Sequence, residues 1–597
     1  MTSAKPTRRR PWLVAAGLAP IALTGTLLLA SCAAPADAET ASSSSTDSGV
    51  VLEQAEAVAP GATASEVMAD DEEAPTAISG YDAASAVSID LDDPAEADGV
   101  TVADGVVTIT AAGTYVVSGS SSGQLAVDAA DADVTVVLDG VDIANADGAA
   151  IDVVAADEVQ LVLADGSENT LSDASSYADD ESANAAMASA ADLVISGSGS
   201  LEVHGNGNDG IASRDALAIA AGDITVDAAD DGIRGKDLVM ITGGTLDVTA
   251  GGDGIKSDNA EEAERGYVAI AGGDVTVVSG GDGIDAATDA VVWGGTLDVT
   301  AGGGADAAAS DDTSMKGVKG GVYIVVDGGT VRVDAADDAL HTDNTAHLAD
   351  GDVTLASGDD GVHADVALTV SGGSVLVTQS YEALEAAAIT ISRGDTEVTG
   401  SDDGVNVAGG ADGTGSEQGG GAPDGYAESS SSSGRTLTIS GGTLLVHSDG
   451  DGIDVNGDAS ITGGEVVVDG PTEQMNGALD VDGTFDVSGG TLVAAGSSGM
   501  LVAPSGDSAQ ASVAIVLDST AAAGTALQVV ASDGTVVATY DAAKQTESLV
   551  VSSADLVDGE TYTVTADGST LGSGVAGDEV AGGMGGGGMD GGQPPRG

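Results

Sequence analysis

The chain has 597 residues but a single cysteine, Cys32, so no internal disulfide or cysteine-ligated zinc site is available to it. Basic residues are scarce: 16 Lys and Arg stand against 97 Asp and Glu, a formal net charge of -81. A surface of that sign repels nucleic acid and anionic headgroups and attracts divalent cations. Aromatic residues make up 2% of the chain, too few for an aromatic-centred core or a flat stacking platform. Apart from Trp12 to Ala30, no segment is long and apolar enough to cross a membrane. No phosphate loop or metalloprotease motif occurs.

What is present at the start is a targeting pattern. Lys5, Arg8, Arg9 and Arg10 precede the apolar run, which closes on Leu29-Ala30-Ser31-Cys32. That order predicts a lipoprotein signal peptide over 1–31, with Cys32 as the lipidated first residue and the mature protein anchored on the extracellular face of the cell membrane. Residues 32–80 are rich in Ala, Ser, Thr, Pro and acids and predict a disordered tether.

Beyond the tether the chain repeats. Asp209, Asp231 and Asp253 precede Gly-Ile at intervals of 22, followed by Asp282 after an insertion. The frame resumes at Lys316, Asp338, Asp360 and Glu382, then at Asp403, Asp451 and, in degenerate form, Asn476; Asn184 marks a candidate earlier turn. Between these marks lie alternating runs such as "DITVDA", "TLDVTA" and "TVRVDA", separated by Gly-Gly. Alternation at period two reads as strands with one buried face, and Gly-Gly as tight turns. Three short strands per 22 residues cannot bury their inner faces alone and must stack as coils of a parallel β-helix. About a dozen coils at about 4.8 Å each give a length on the order of 60 Å. The all-β fold expected is this helix over 81–505, interrupted by a disordered insertion at 409–435. A C-terminal β cap or small β domain follows over 506–575, and a disordered Gly-rich tail over 576–597.

Stacking turns equal offsets into columns. The third position after the lead residue reads Ala212, Arg234, Lys256, Asp285, Lys319, His341, His363, Glu385, and Lys236 lies two further on from Arg234. Scarce cations gathered on one strip, Arg234, Lys236, Lys256, Lys316, Lys319, His341 and His363, predict a surface that receives an anionic or polyhydroxylated polymer. The lead aspartates pose the opposite problem: carboxylates about 4.8 Å apart repel by about 3.5 kcal/mol at an effective dielectric of 20. Doubled and flanking acids form oxygen-rich clusters of the kind calcium requires: Asp230, Asp231, Asp253, Asp258, Asp337, Asp338, Asp343, Asp359, Asp360, Asp365, Asp402 and Asp403. Each Asp-Gly is also good turn chemistry by itself. His341 and His363 are alternatively transition-metal ligands or hydrogen-bonding surface groups, and Trp293, Tyr267 and Tyr381 are candidates to stack a sugar ring or to pack at coil edges.

The repeated "DDGI", the "KGVKG" coil, the strand-Gly-Gly-strand pattern and the late "ETYTVTADG" resemble a bacterial carbohydrate-binding β-helix family of secreted and lipoprotein chains. The resemblance spans roughly 85 to 570. It implies a right-handed parallel β-helix similar to polysaccharide lyases, calcium at aspartates, and binding of plant cell-wall polymers, notably polygalacturonate, without cleavage. The long Gly/Ser insertion and the loss of a basic residue at Asp285, Glu385 and Asp454 depart from the pattern. The expectation is a monomeric surface polysaccharide-binding protein. A calcium-dependent lyase using Lys256 or Lys319 as base, and a structural or adhesive surface rod without a particular ligand, are the alternatives.

Overall fold

Each 22-residue period is built from three short strands. In one repeat they are Ile233–Gly235, Leu238–Ile241 and Thr245–Ala250, and in the next Ile255–Ser257, Tyr267–Ile270 and Asp274–Ser279. In these repeats each strand pairs in parallel with its counterpart three places on, Ile233 with Ile255, Leu238 with Tyr267, Thr245 with Asp274. Repetition of this rule joins 41 strands into one parallel-rich sheet, and the protein is all-β. The computed structural model describes residues 59–177, 183–310, 313–408 and 434–578.

The alternation decides which face is inside. In Thr245–Ala250 the Leu, Val and Ala are buried and the Thr and Asp exposed. Ile211, Ile233, Ile255 and Ile284 form a continuous buried column, each contributing roughly 1.5–3 kcal/mol of burial. The glycine after the lead aspartate exists because this interior is tight: a Cβ on Gly232 would lie 2.3 Å from Val248 Cγ1 and 2.6 Å from the Gly254 carbonyl. The second glycine of each Gly-Gly turn serves backbone geometry, with φ of 95° at Gly244 and 96° at Gly273.

The stack begins earlier than the regular period. Ala126, Asp152, Ala188 and Ala212 continue the column of Arg234 toward the N-terminus. Spacing there is irregular because the turns differ in length, so periodicity conceals these repeats.

The middle strands break the alternation. Ala216–Ile219, Tyr267–Ile270 and Asp289–Val292 are buried at every position, as strands covered on both faces must be. Their cover is the segment 59–78, which corrects the tether expected to run to residue 80. A short helix, Ala64–Val67, is started by a capping box between Thr63 and Glu66. Ala62, Ala64 and Val67 pack on Leu238, Tyr267, Val291 and Val325. These few small apolar residues suffice because the sheet beneath them is itself apolar.

At the other end Thr491–Gly496 pairs antiparallel with Thr546–Ser552, which pairs antiparallel with Ser512–Ala521. A four-stranded antiparallel sheet accompanies them, and Val493 and Ala495 share a core with Ile515, Leu527 and Tyr562. The signal peptide, Cys32 and the tether up to residue 58 lie outside the described residues, as do 409–433 of the insertion and 579–597 of the tail. Among the described residues no helix is long and apolar enough to cross a membrane.

Candidate functional site

The lead aspartates sit where one repeat turns into its first short strand, and their carboxylates are tied along the stack. One carboxylate oxygen accepts the backbone N–H of the next lead residue: Asp231 from Asp253 (3.0 Å), Asp253 from Asp282 (2.8 Å), Asp282 from Lys316 (2.8 Å), Asp338 from Asp360 (2.9 Å) and Asp403 from Asp451 (2.6 Å). Charge-assisted bonds of this kind are among the stronger ones.

Three residues on from each lead position, the column pairs in register from Ala212 through Arg234, Lys256, Asp285, Lys319, His341, His363 and Glu385 to Asn406, Asp454 and Asp480. The cations on it turn to the lead aspartates. Lys256 Nζ lies 2.5 Å from Asp253 and 3.2 Å from Asp285, and Lys319 Nζ 3.1 Å from Asp285 and 3.7 Å from Asp282. Lys316 meets Asp338 at 2.7 Å and Asp337 at 3.3 Å. His341 Nδ1 meets Asp338 at 2.8 Å with Nε2 toward Asp343, while His363 Nδ1 meets Asp360 and Glu385, both at 2.9 Å, with Nε2 toward Asp365. Arg234 is looser, 3.7 Å from Asp209 and 3.9 Å from Asp258, and leaves Asp209 Oδ2 without a hydrogen bond.

Of the cations expected on the strip, Arg234, Lys256, Lys316, Lys319, His341 and His363 meet acids of the aspartate ladder. His341 and His363 are 5% and 2% exposed and Lys316 is buried, so they present nothing to a polymer, and of the seven residues of the strip Lys236 alone is exposed. Tyr267 lies buried under the 59–78 segment and cannot stack a sugar, whereas Tyr381 is 47% exposed.

Electrostatics follow the pairing. Burial would raise Asp285, but Lys319 and Lys256 outweigh it and hold the carboxyl below its ordinary value. Burial would lower Lys256 and Lys319, but Asp285 and the lead aspartates reverse that and keep both ammonium groups charged. Burial likewise opposes charge on His341, yet hydrogen bonds to Asp338 and Asp343 raise it, and Asp360, Asp365 and Glu385 do the same for His363. Ligand atoms of Asp338, His341 and His363, and of Asp360, His363 and Glu385, come within 4.8 Å of one another. In both groups the imidazole Nδ1 faces a carboxylate at hydrogen-bond distance, Asp338 for His341 and Asp360 for His363.

Past Glu385 the column changes character. Asn406, Asp454 and Asp480 replace the cations, and no ion pair reaches Glu382, Asp402, Asp403, Asp451, Asp454 or Asp480 among the described residues. Burial first, and then mutual repulsion, pushes Glu382 up to about 7, Asp403 to about 8, Asp451 to about 6 and Asp454 to about 7. Asn406 is 8% exposed; its Nδ2 donates to Glu382 Oε2 at 2.5 Å while its Oδ1 is buried without a partner. Of the aspartates expected to hold calcium, Asp253, Asp258, Asp337, Asp338, Asp343, Asp360 and Asp365 already have protein cations, Asp231 lies within the field of Lys256, and Asp230 is exposed. Asp359 lies with Asp337 and Asp338 beside Lys316. Asp402 and Asp403 belong to the cation-free end, where a hard divalent ion fits best: carboxylates lacking counter-charge beside an orphaned amide oxygen. Asn406, Asp451, Asp454, Asp480 and Glu382 were not in the expected ligand set, although each lead acid from Asp403 onward lacks a basic residue three places later.

A shallow open depression of about 320 Å³ lies on the third-strand face, lined by Thr276, Asp298, Thr300, Arg332, Asp334 and Thr354 among others. Arg332 is exposed there and meets Asp298 at 3.4 Å.

No curated protein matches the chain. One solved structure, described as the polysaccharide lyase-like protein from C. thermocellum in a gadolinium derivative, is 31% identical over 45% of this chain and 99% of its own, with a TM-score of 0.35. Residues 103–361, which hold the lead positions from Asp209 to Asp360, match the family model of carbohydrate-binding domain-containing proteins.

Proposed function

We propose that this protein binds polysaccharide without cleaving it, on a right-handed parallel β-helix formed by the stacked repeats and held at the cell surface by lipid on Cys32. The observation that carries this reading is the match of residues 103–361 to a carbohydrate-binding family. Calcium is the cofactor, held at the cation-free end by Asp403, Asn406, Asp451, Asp454 and Asp480, with Glu382 beside them. Bound there, calcium supplies positive charge to a surface that otherwise repels acidic polymers, and so favours a pectin-like chain such as polygalacturonate.

The lyase alternative needs a neutral amine to take the proton beside a uronate carboxylate. Lys256 and Lys319 are the candidate bases, and the aspartates around them raise both, keeping them charged. This favours binding over elimination.

Affinity electrophoresis of the mature protein through gels containing polygalacturonate tests the reading. Retardation with calcium, relieved by chelator and without new ultraviolet absorbance from unsaturated uronate, is expected. Migration unchanged by any polysaccharide would remove the function, and the absorbance would replace it with a lyase.

A further inference from the structure

The segment 59–78 crosses the middle strands along one column. Gly61 packs on Thr369, His347 Nδ1 bonds to the Ala62 carbonyl at 2.6 Å, and at the far end the Ile78 N–H donates to Gln160 Oε1 at 3.1 Å. Gln160, Val194, Ala218, Met240, Ala269, Val291, Val325, His347 and Thr369 are successive register partners. The segment therefore straps nine repeats together.

A buried carboxylate, Asp289, lies under this strap. Ala290 and Val292 point into the core, so Asp289 points outward, between Tyr267 and Tyr323 in the neighbouring repeats. It is 6% exposed, and its Oδ1 is buried without a partner. Asp71 of the strap has a buried Oδ2 that also lacks a partner. Burial first, then Asp70 and Glu264, pushes Asp71 up to about 7, while burial and then Asp71 raise Asp289 well above its ordinary value against a hydrogen bond from the Tyr323 backbone. Among the described residues no ion pair reaches either of them. Arg265, the nearby guanidinium, is committed to Glu72, Asp237 and Glu262, and the Tyr267 hydroxyl donates to the Glu72 carbonyl at 2.7 Å.

We propose that Asp71 and Asp289 clasp one divalent cation that fixes the 59–78 strap on the sheet. Two carboxylate oxygens from distant parts of the chain, both dry and unpartnered, are hard donors of the kind calcium and magnesium take. Water completes the shell. The clasp is separate from the Asp403–Asp480 cluster and independent of carbohydrate binding.

Hydrogen–deuterium exchange on the full chain tests it, with calcium as the probe. Adding calcium to chelator-treated protein at constant pH is expected to slow exchange at Val67, Met68 and Glu72 at least tenfold. Asp289→Asn and Asp71→Asn, the second on the strap itself and harmless to the sheet, are each expected to abolish that response, while Asp454→Asn keeps it. Strap exchange that ignores calcium, that follows pH alone, or that still responds to calcium in Asp71→Asn overturns the proposal; the pH outcome would assign the pair a shared proton instead.

Discussion

The imidazole rings of His341 and His363 stack at a centroid distance of 4.9 Å, 13° from parallel. Asp338, Asp343, Asp360, Asp365 and Glu385 surround the two rings and favour their protonated forms.

This sets how stability depends on pH. A histidine raised in the folded state stabilises fully below its unfolded value of about 6.5 and loses that contribution as pH rises through the folded value. Glu382, Asp403 and Asp454, raised to about 7, 8 and 7, also stabilise below their unfolded values of about 4 and lose this as pH climbs through 7 to 8. Both slopes have one sign, so the melting temperature of chelator-treated protein is expected to fall between pH 5 and pH 8. The lowered group Asp285 acts oppositely, but only as pH falls below about 4. Scanning calorimetry with calcium present is expected to flatten the slope.

Lys256→Met removes the partner of Asp253 and Asp285 and leaves two partly buried carboxylates without it. Urea unfolding is expected to show a loss of about 3 kcal/mol. Lys236→Met, at an exposed position, is expected to stay within about 0.5 kcal/mol. Equal effects at both positions would show that the ladder does not depend on its cations.

Gly232→Ala places a methyl 2.3 Å from Val248 Cγ1 and against the Gly254 carbonyl. Overpacking at such a site costs about 1–3 kcal/mol, measurable as a lower midpoint in urea at unchanged slope. A neutral outcome would mean that neighbouring repeats move apart easily.

The column from Ala212 to Glu385 was legible because a 22-residue period and period-two alternation fix both register and face. The direction of each charged tip was not, since a lysine on the outward side of a strand reaches solvent or folds back with equal ease. The sign that it folds back was present: Asp253–Lys256, Asp338–His341 and Asp360–His363 all share one three-residue offset. The strap was hidden by composition, since Ala62, Ala64 and Val67 stand among polar neighbours. Its trace lay in its partner, in stretches such as "YVAI" and "AVV" that are apolar on both faces and require a cover. The repeats before Asp209, marked in the sequence only by Asn184, are harder to read because Ala126, Asp152 and Ala188 carry the register without the Asp-Gly-Ile signature.

Calorimetric titration of the mature protein with oligogalacturonides in the presence of calcium tests the central claim most directly. The expected result is saturable binding that chelator abolishes and Asp454→Asn weakens at least tenfold. Heats that persist unchanged in chelator or in Asp454→Asn, or no binding at all, would contradict it.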